Sequence, residues 1–179
     1  LEGAFFSCPN LTIQALDDPD LTYVQSTAFM FFQAVSFNQD INSWDVSNVT
    51  NMTSMFYSAI SFNQPLDSWD VSNVTNMFRM FEGSFFNQPL NNWDVSSVTD
   101  MSYMFFSGEF NQDLSSWDIS SVTNMQNMFT LADPLSTANY DATLIGWNTL
   151  DPGETQIPQN ITFSAGSSTY CDSGPARAS

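Results

Sequence analysis

FNQPLNNWDVSSVTDMSYMFF, residues 86–106, is the stretch from which the rest of the chain is read, because near copies of it lie on both sides. Phe-Asn-Gln opens at Phe37, Phe62, Phe86 and Phe110, and a Trp-Asp pair follows each time at Trp44, Trp69, Trp93 and Trp117. Successive copies are 25, 24 and 24 residues apart. A unit of that length cannot bury an apolar face alone, so a fixed period implies coils stacked on one another. Stacking turns each position of the motif into a column of equivalent side chains.

Two hydrophobic periods run through the quoted copy. Leu90, Trp93 and Val95 are apolar with Asp94 between the last two, the alternation of a short strand that turns Trp and Val inward and Asp outward. From Val98 the spacing lengthens to Val98, Met101, Met104 and Phe105, which predicts one or two turns of helix or 3₁₀ helix. With Phe86, these residues make eight inward side chains per coil, each worth about 1.5–3 kcal/mol on burial. The nine methionines fall largely on these positions and are read as adaptable core filler.

Working outward, residues 20–34 align with residues 45–59, Val24 on Val49, Met30 on Met55 and Phe31 on Phe56, with Pro19 where the Trp would stand. The array is therefore expected to occupy residues 20–130 as about five repeats, the first degenerate, behind an N-terminal cap segment of residues 1–19. Residues 131–179 are expected to form a C-terminal cap. In it, Ser136 or Thr137 caps a short helix that runs to Trp147 with Tyr140 and Leu144 on the same face. A turn at Asp151-Pro152-Gly153 and a last strand at Ile161–Phe163 complete it.

The charge balance narrows the partners. Nineteen acidic residues face only Arg79 and Arg177, with no Lys and no His, for a net charge of −17. Phosphate contacts need clustered basic side chains, so nucleic acid is not an expected partner, and an anionic membrane surface is equally disfavoured. No apolar run approaches the roughly 18 residues of a membrane span. The chain opens on Leu1-Glu2-Gly3 with neither an initiator Met nor a charged apolar leader, so a leader, if one existed, is expected to have been removed.

The quoted stretch resembles the repeat of BspA-like surface proteins, divergent relatives of leucine-rich repeats, and the likeness extends over about residues 20–130. NYDATLIGWN at residues 139–148 and ITFSAGSSTYC at residues 161–171 resemble the tail of such arrays. The resemblance implies an α/β repeat: a single leucine-rich-repeat-like solenoid, with a short strand and a short helix or 3₁₀ turn per coil, closed by terminal caps. It also implies display at the cell surface or secretion, and adhesion or partner binding as the activity.

Four columns are candidates for function. Asp45, Asp70, Asp94 and Asp118 would form an acidic ladder at about the 4.8 Å pitch of adjacent strands, where like charges repel unless compensated. Two readings stay open: Ca²⁺ or partner contact by hard oxygen ligands, or capping of the following turn through Ser47, Ser72, Ser96 and Ser120. Asn38, Asn63, Asn87 and Asn111, beside Gln39, Gln64, Gln88 and Gln112, read as an internal amide ladder. Thr50, Thr75, Thr99 and Thr123 could order water, which raises ice binding, or cap the short helix.

Sequons at Asn10, Asn48, Asn51, Asn73 and Asn160 are candidate glycosylation sites, Asn10 and Asn160 lying outside the array. Cys8 and Cys171 sit in opposite caps, too far apart across five coils for an internal bridge unless a terminal segment runs back along the array, which leaves local pairing within a longer parent chain or an intermolecular disulfide end to end. Without His or Lys, and with no Asp of the ladder distinguished from its neighbours, the usual catalytic sets are missing and no enzyme is expected. The sequence points to a non-enzymatic extracellular or cell-surface protein that meets a protein or glycan through its acidic face, with no cofactor unless Ca²⁺. The alternative is a filament subunit assembling head to tail through its caps; ice binding comes third.

Overall fold

A computed structural model describes residues 1–15, 17–149 and 161–169 of the chain. The eight inward side chains of the quoted copy, Phe86, Leu90, Trp93, Val95, Val98, Met101, Met104 and Phe105, are each at most 2% exposed. All nine methionines are buried as well. Aromatic rows thread the interior: Phe56 stacks on Phe81 at 5.5 Å, Phe81 on Phe105 at 5.8 Å and Phe105 on Phe129 at 5.2 Å. A second row joins the first within each coil, Phe105 lying 4.0 Å from Phe110.

The coils themselves are not a strand followed by a helix. Among the described residues the one helix is α1, Thr137–Trp147, beyond the array. Among the described residues no strand ladder joins successive coils; the parallel bridges between them, joining Ser26, Asn51, Asn76, Asp100 and Asn124, are isolated. The expected α/β, leucine-rich-repeat-like coil is therefore overturned: residues 90–95 form no strand and residues 98–105 no helix or 3₁₀ helix.

The cause is a pair of left-handed residues four apart in every coil. Phe29 and Gln33, Ser54 and Ser58, Arg79 and Gly83, Tyr103 and Ser107, and Asn127 and Leu131 all have φ between 51° and 65°. A right-handed helix needs negative φ throughout, so these positions break it. The backbone instead alternates its donors. Met104, Phe106 and Gly108 donate to Met101, Tyr103 and Phe105 at 3.2, 3.1 and 3.2 Å, closing turns. Between them Met101, Tyr103, Phe105 and Ser107 donate to Asn124, Gln126, Met128 and Thr130 of the next coil at 2.9–3.0 Å. Every second amide thus serves its own turn and the rest serve the neighbour, which satisfies the buried backbone without a regular element.

A turn closed by an i→i+3 bond advances three residues, so it places Val98, Met101 and Met104 inward on the same spacing a helix would. The WD segment is likewise two turns, Trp93 donating to Leu90 at 3.1 Å and Val98 to Val95 at 2.9 Å. Alternation there follows the turns and not a pleat.

The ends of the stack differ. Residues 1–8 reproduce the turn half of a coil: Gly3, Phe5 and Ser7 donate to Ala28, Met30 and Phe32 at 2.8, 2.9 and 2.7 Å. Gly3 and Ser7 carry the same paired positive φ, 61° and 51°. At the other end α1 stands in for a further coil. Ser136 is its N-cap, accepting from the Asn139 N–H at 3.2 Å. Its inner face presses so closely on Ser115 that a Cβ on Gly146 would lie 2.1 Å from the Ser115 carbonyl oxygen. The expected strand at residues 161–163 is not formed; Phe129 donates to the Ser164 carbonyl at 3.0 Å beside it. The turn expected at Asp151-Pro152-Gly153 lies outside the described residues.

Candidate binding face

The acidic column is built by one device repeated. Oδ1 of Asp45, Asp70 and Asp94 accepts the backbone N–H of Ser47, Ser72 and Ser96 at 3.0–3.1 Å and the same serine's hydroxyl at 2.6 Å. Asp118 accepts the Ser120 N–H at 2.8 Å. Each Asp therefore holds the turn between two buried valines or their equivalents, such as Val46 and Val49. The Ser47 hydroxyl and backbone N–H together hold the Asp45 carboxyl below the ordinary carboxylate range. Asp45, Asp70 and Asp94 are exposed and Asp118 partly so.

The second oxygen of each carboxylate accepts no hydrogen bond among the described residues. Among the described residues no three His, Cys, Asp or Glu side chains converge to hold a metal ion, so the four aspartates line a face without forming a Ca²⁺ cage.

The amide column lies elsewhere on the coil and joins neighbours. Oδ1 of Asn38, Asn63 and Asn87 accepts the backbone N–H of the next coil's Asn at 2.8–2.9 Å. Gln64, Gln88 and Gln112 add their Nε2 to the same oxygens. Gln39 instead brackets Ile13, donating to its carbonyl at 2.9 Å and accepting from its N–H. At the far end Asn139 of α1 takes the place of the missing coil, donating to the carbonyl of Asn111 at 2.8 Å.

The threonine column is bonded too. Thr75, Thr99 and Thr123 give both backbone N–H and hydroxyl to the carbonyl of the preceding threonine, the hydroxyls at 3.0–3.2 Å, and Thr50 does the same to Gln25. Their hydroxyl protons are spent on coil-to-coil contacts, and there is no helix for them to cap.

Two features were not singled out in the sequence. The residues that follow the threonines, Asn51, Asn76, Asp100 and Asn124, form another turn column whose side-chain oxygens accept the N–H two residues on at 2.8–3.1 Å. The signal was present as Thr-Asn or Thr-Asp in each copy. Arg79 is the second: its guanidinium lies 4.9 Å from the Phe78 ring centre and 5.1 Å from that of Tyr103, and its Nε is 3.3 Å from Glu82. The contact with Glu82 is an ion pair without hydrogen-bond alignment. The only cationic side chain within the array is thus already engaged.

The modification candidates divide by environment. Asn10 and Asn48 are exposed, Asn73 donates its Nδ2 to the Ser47 carbonyl at 2.8 Å, and Asn51 accepts from Thr53 of its own sequon. Asn160 and Cys171 lie outside the described residues, while Cys8 is a half-buried free thiol.

The family described as Mycoplasma protein of unknown function, DUF285, matches residues 1–107 and 82–151. It is a BspA-like repeat family, so the resemblance carried by residues 86–106 holds at the level of the repeat family, whereas the leucine-rich-repeat coil does not. No curated protein and no solved structure matches the chain.

Proposed function

Since the chain belongs to the family described as Mycoplasma protein of unknown function, DUF285, and its motif lays down identical exposed groups coil after coil, we propose that it is a non-enzymatic binding protein of the cell surface or extracellular space. Its acidic face meets a protein or glycan partner. The observation that carries this reading is the repeated Asp-x-Ser turn: Oδ1 is fixed by serine while Oδ2 stays open at Asp45, Asp70 and Asp94. Carboxylates so positioned lose little conformational freedom when they accept donors from a partner.

The test is binding to glycan and cell-surface protein arrays by the wild type and by Asp45→Asn/Asp70→Asn/Asp94→Asn/Asp118→Asn. Asn keeps the turn acceptor and removes the charge. Loss of the wild-type hits with unchanged thermal unfolding supports the reading; unchanged hits contradict it.

One observation favours head-to-tail assembly as a second reading. Among the described residues, the carbonyls of Glu2 and Ala4 at one end and the amides of Asn127 and Leu131 at the other take no backbone partner, although their counterparts inside the array do. Leu131 is 74% exposed. Acceptors at one end and donors at the other, left over on the same spacing among the described residues, suit non-closing contact between copies. Sedimentation velocity over a concentration series, with and without reductant, tests it; a monomer throughout contradicts it.

A further inference from the structure

The left-handed turn segments present a surface unlike that of the Asp-x-Ser turns. Residues 28–34, 53–59, 78–84, 102–108 and 126–132 hold only two charged residues, Arg79 and Glu82, in a chain with 19 acids. Between their buried Met and Phe positions, rings stand at the surface: Phe29 is 38% exposed, and Phe32, Tyr57, Phe78, Tyr103 and Phe106 are half-buried. Phe6, 51% exposed, adds another from the N-terminal half-coil.

These groups are contiguous. Phe6 stacks on Phe32 at 4.6 Å and Phe32 on Tyr57 at 4.5 Å, with Phe29 5.9 Å from Phe32. Glu82 takes the next place in that column, and Arg79 lies 3.3 Å from it. The guanidinium in turn lies against the Phe78 and Tyr103 rings, and Tyr103 is 5.4 Å from Phe106. Aromatic residues and Arg gathered where Asp, Glu and Lys are scarce is the composition of protein–protein contact surfaces, and Tyr and Arg are frequent among the residues that dominate binding energy.

We propose that this face docks a second protein, through a segment that lays apolar side chains on the rings and presents a carboxylate to Arg79. Charge selects that occupant. Nε of Arg79 faces Glu82, but the side chain is 40% exposed, so the rest of the guanidinium edge remains for a carboxylate, which it matches in a planar fork. Its place against two rings orients that edge before binding. A net charge of −17 repels an acidic segment unless basic residues flank its carboxylate, so the partner carries them. A second copy in a symmetric pairing brings the same −17 and the same face, whose one carboxylate is already paired. A glycan fits poorly as well. Phe6, Phe32 and Tyr57 lie parallel to within 7° of their neighbours, covering one another's faces and leaving edges outward, whereas a sugar ring packs on a face. The surface uses no aspartate of the Asp45 column and stands or falls independently of it.

The probe is a phage-displayed library of random peptides selected on the full chain. The recovered sequences are expected to share apolar residues around an Asp or Glu, with Lys or Arg outside them. The synthetic consensus peptide, titrated by fluorescence anisotropy, is expected to bind Arg79→Gln and Phe29→Ser about tenfold more weakly than wild type, and Asp45→Asn/Asp70→Asn/Asp94→Asn within about threefold. Replacing the peptide's carboxylate by its amide is expected to cost about tenfold against wild type and less than about twofold against Arg79→Gln, which separates a direct contact from a structural loss. Thermal unfolding checks the variants, and if Arg79→Gln fails to fold, Phe29→Ser, at an exposed position, supplies the comparison. No enrichment, a consensus without an acid, binding unchanged in Phe29→Ser, or equal dependence on the peptide carboxylate in wild type and Arg79→Gln each overturn the proposal. So does a glycan captured on an array by wild type and lost in Phe29→Ser alone.

Discussion

Trp93 donates its indole N–H to the carbonyl of Leu66, 27 residues earlier and 2.8 Å away, and the same bond recurs from coil to coil along the stack. Removing it leaves a buried carbonyl without a donor. Trp93→Phe is therefore expected to lower stability by about 2–3 kcal/mol in urea unfolding. A loss of less than about 0.5 kcal/mol would show that the indole bonds do not hold the coils.

The paired left-handed residues make a second prediction. Ser58 has φ 51° where the next coil carries Gly83 at φ 65°. Ser58→Gly is expected to stabilise by about 0.5 kcal/mol, because glycine adopts that conformation without the Cβ penalty. Gly83→Ala is expected to destabilise by about 1 kcal/mol or more, since its Cβ would also lie 3.1 Å from Ser58 Oγ. Thermal unfolding of both variants checks the opposite signs.

Gly146 gives a third. Any side chain there meets the Ser115 backbone, so Gly146→Ala must lift α1 from the last coil and uncover Leu114 beneath it. A lowered unfolding midpoint and faster amide exchange at Leu114, whose N–H is bonded to Thr143 Oγ1 at 3.1 Å, are expected. Unchanged exchange would mean that the helix does not cap the stack.

Two carboxyls shift in opposite senses and separate in a pH series. Burial pushes Glu82 above the ordinary carboxylate range, with Arg79 and Tyr57 opposing it. Its contribution is present below the unfolded-state value and lost as pH rises through the folded-state value. Glu82→Gln should gain stability relative to wild type as pH climbs through the region just above the ordinary carboxylate range. Asp45, held low by Ser47, contributes above the unfolded-state value and loses that contribution as pH falls through the folded-state value. The deficit of Asp45→Ala should accordingly shrink on acidification. Matched denaturant titrations across that range check both slopes.

Burial was legible in the sequence because it depends only on which positions recur: Phe86, Leu90, Trp93, Val95, Val98, Met101, Met104 and Phe105 are all inside. Local conformation was not. An i→i+3 turn and a helix bury the same spacing, and nothing in Ser54, Ser58, Tyr103 or Leu131 announces a positive φ, since all but glycine and asparagine are poor candidates for it. The period hid at the start because residues 1–8 carry only the turn half of a coil, without the FNQ and Trp-Asp marks. The Asp-x-Ser turn was one of two open readings, and geometry assigns Oδ1 to it.

The central claim is that coils are joined in register by alternate amides of a left-handed turn segment. Trans-hydrogen-bond NMR couplings test it most directly. Couplings are predicted from the amide nitrogens of Met101, Tyr103 and Phe105 to the carbonyl carbons of Asn124, Gln126 and Met128. Couplings from residues 102–105 to carbonyls four residues earlier in the same coil would instead establish a helix and contradict the account.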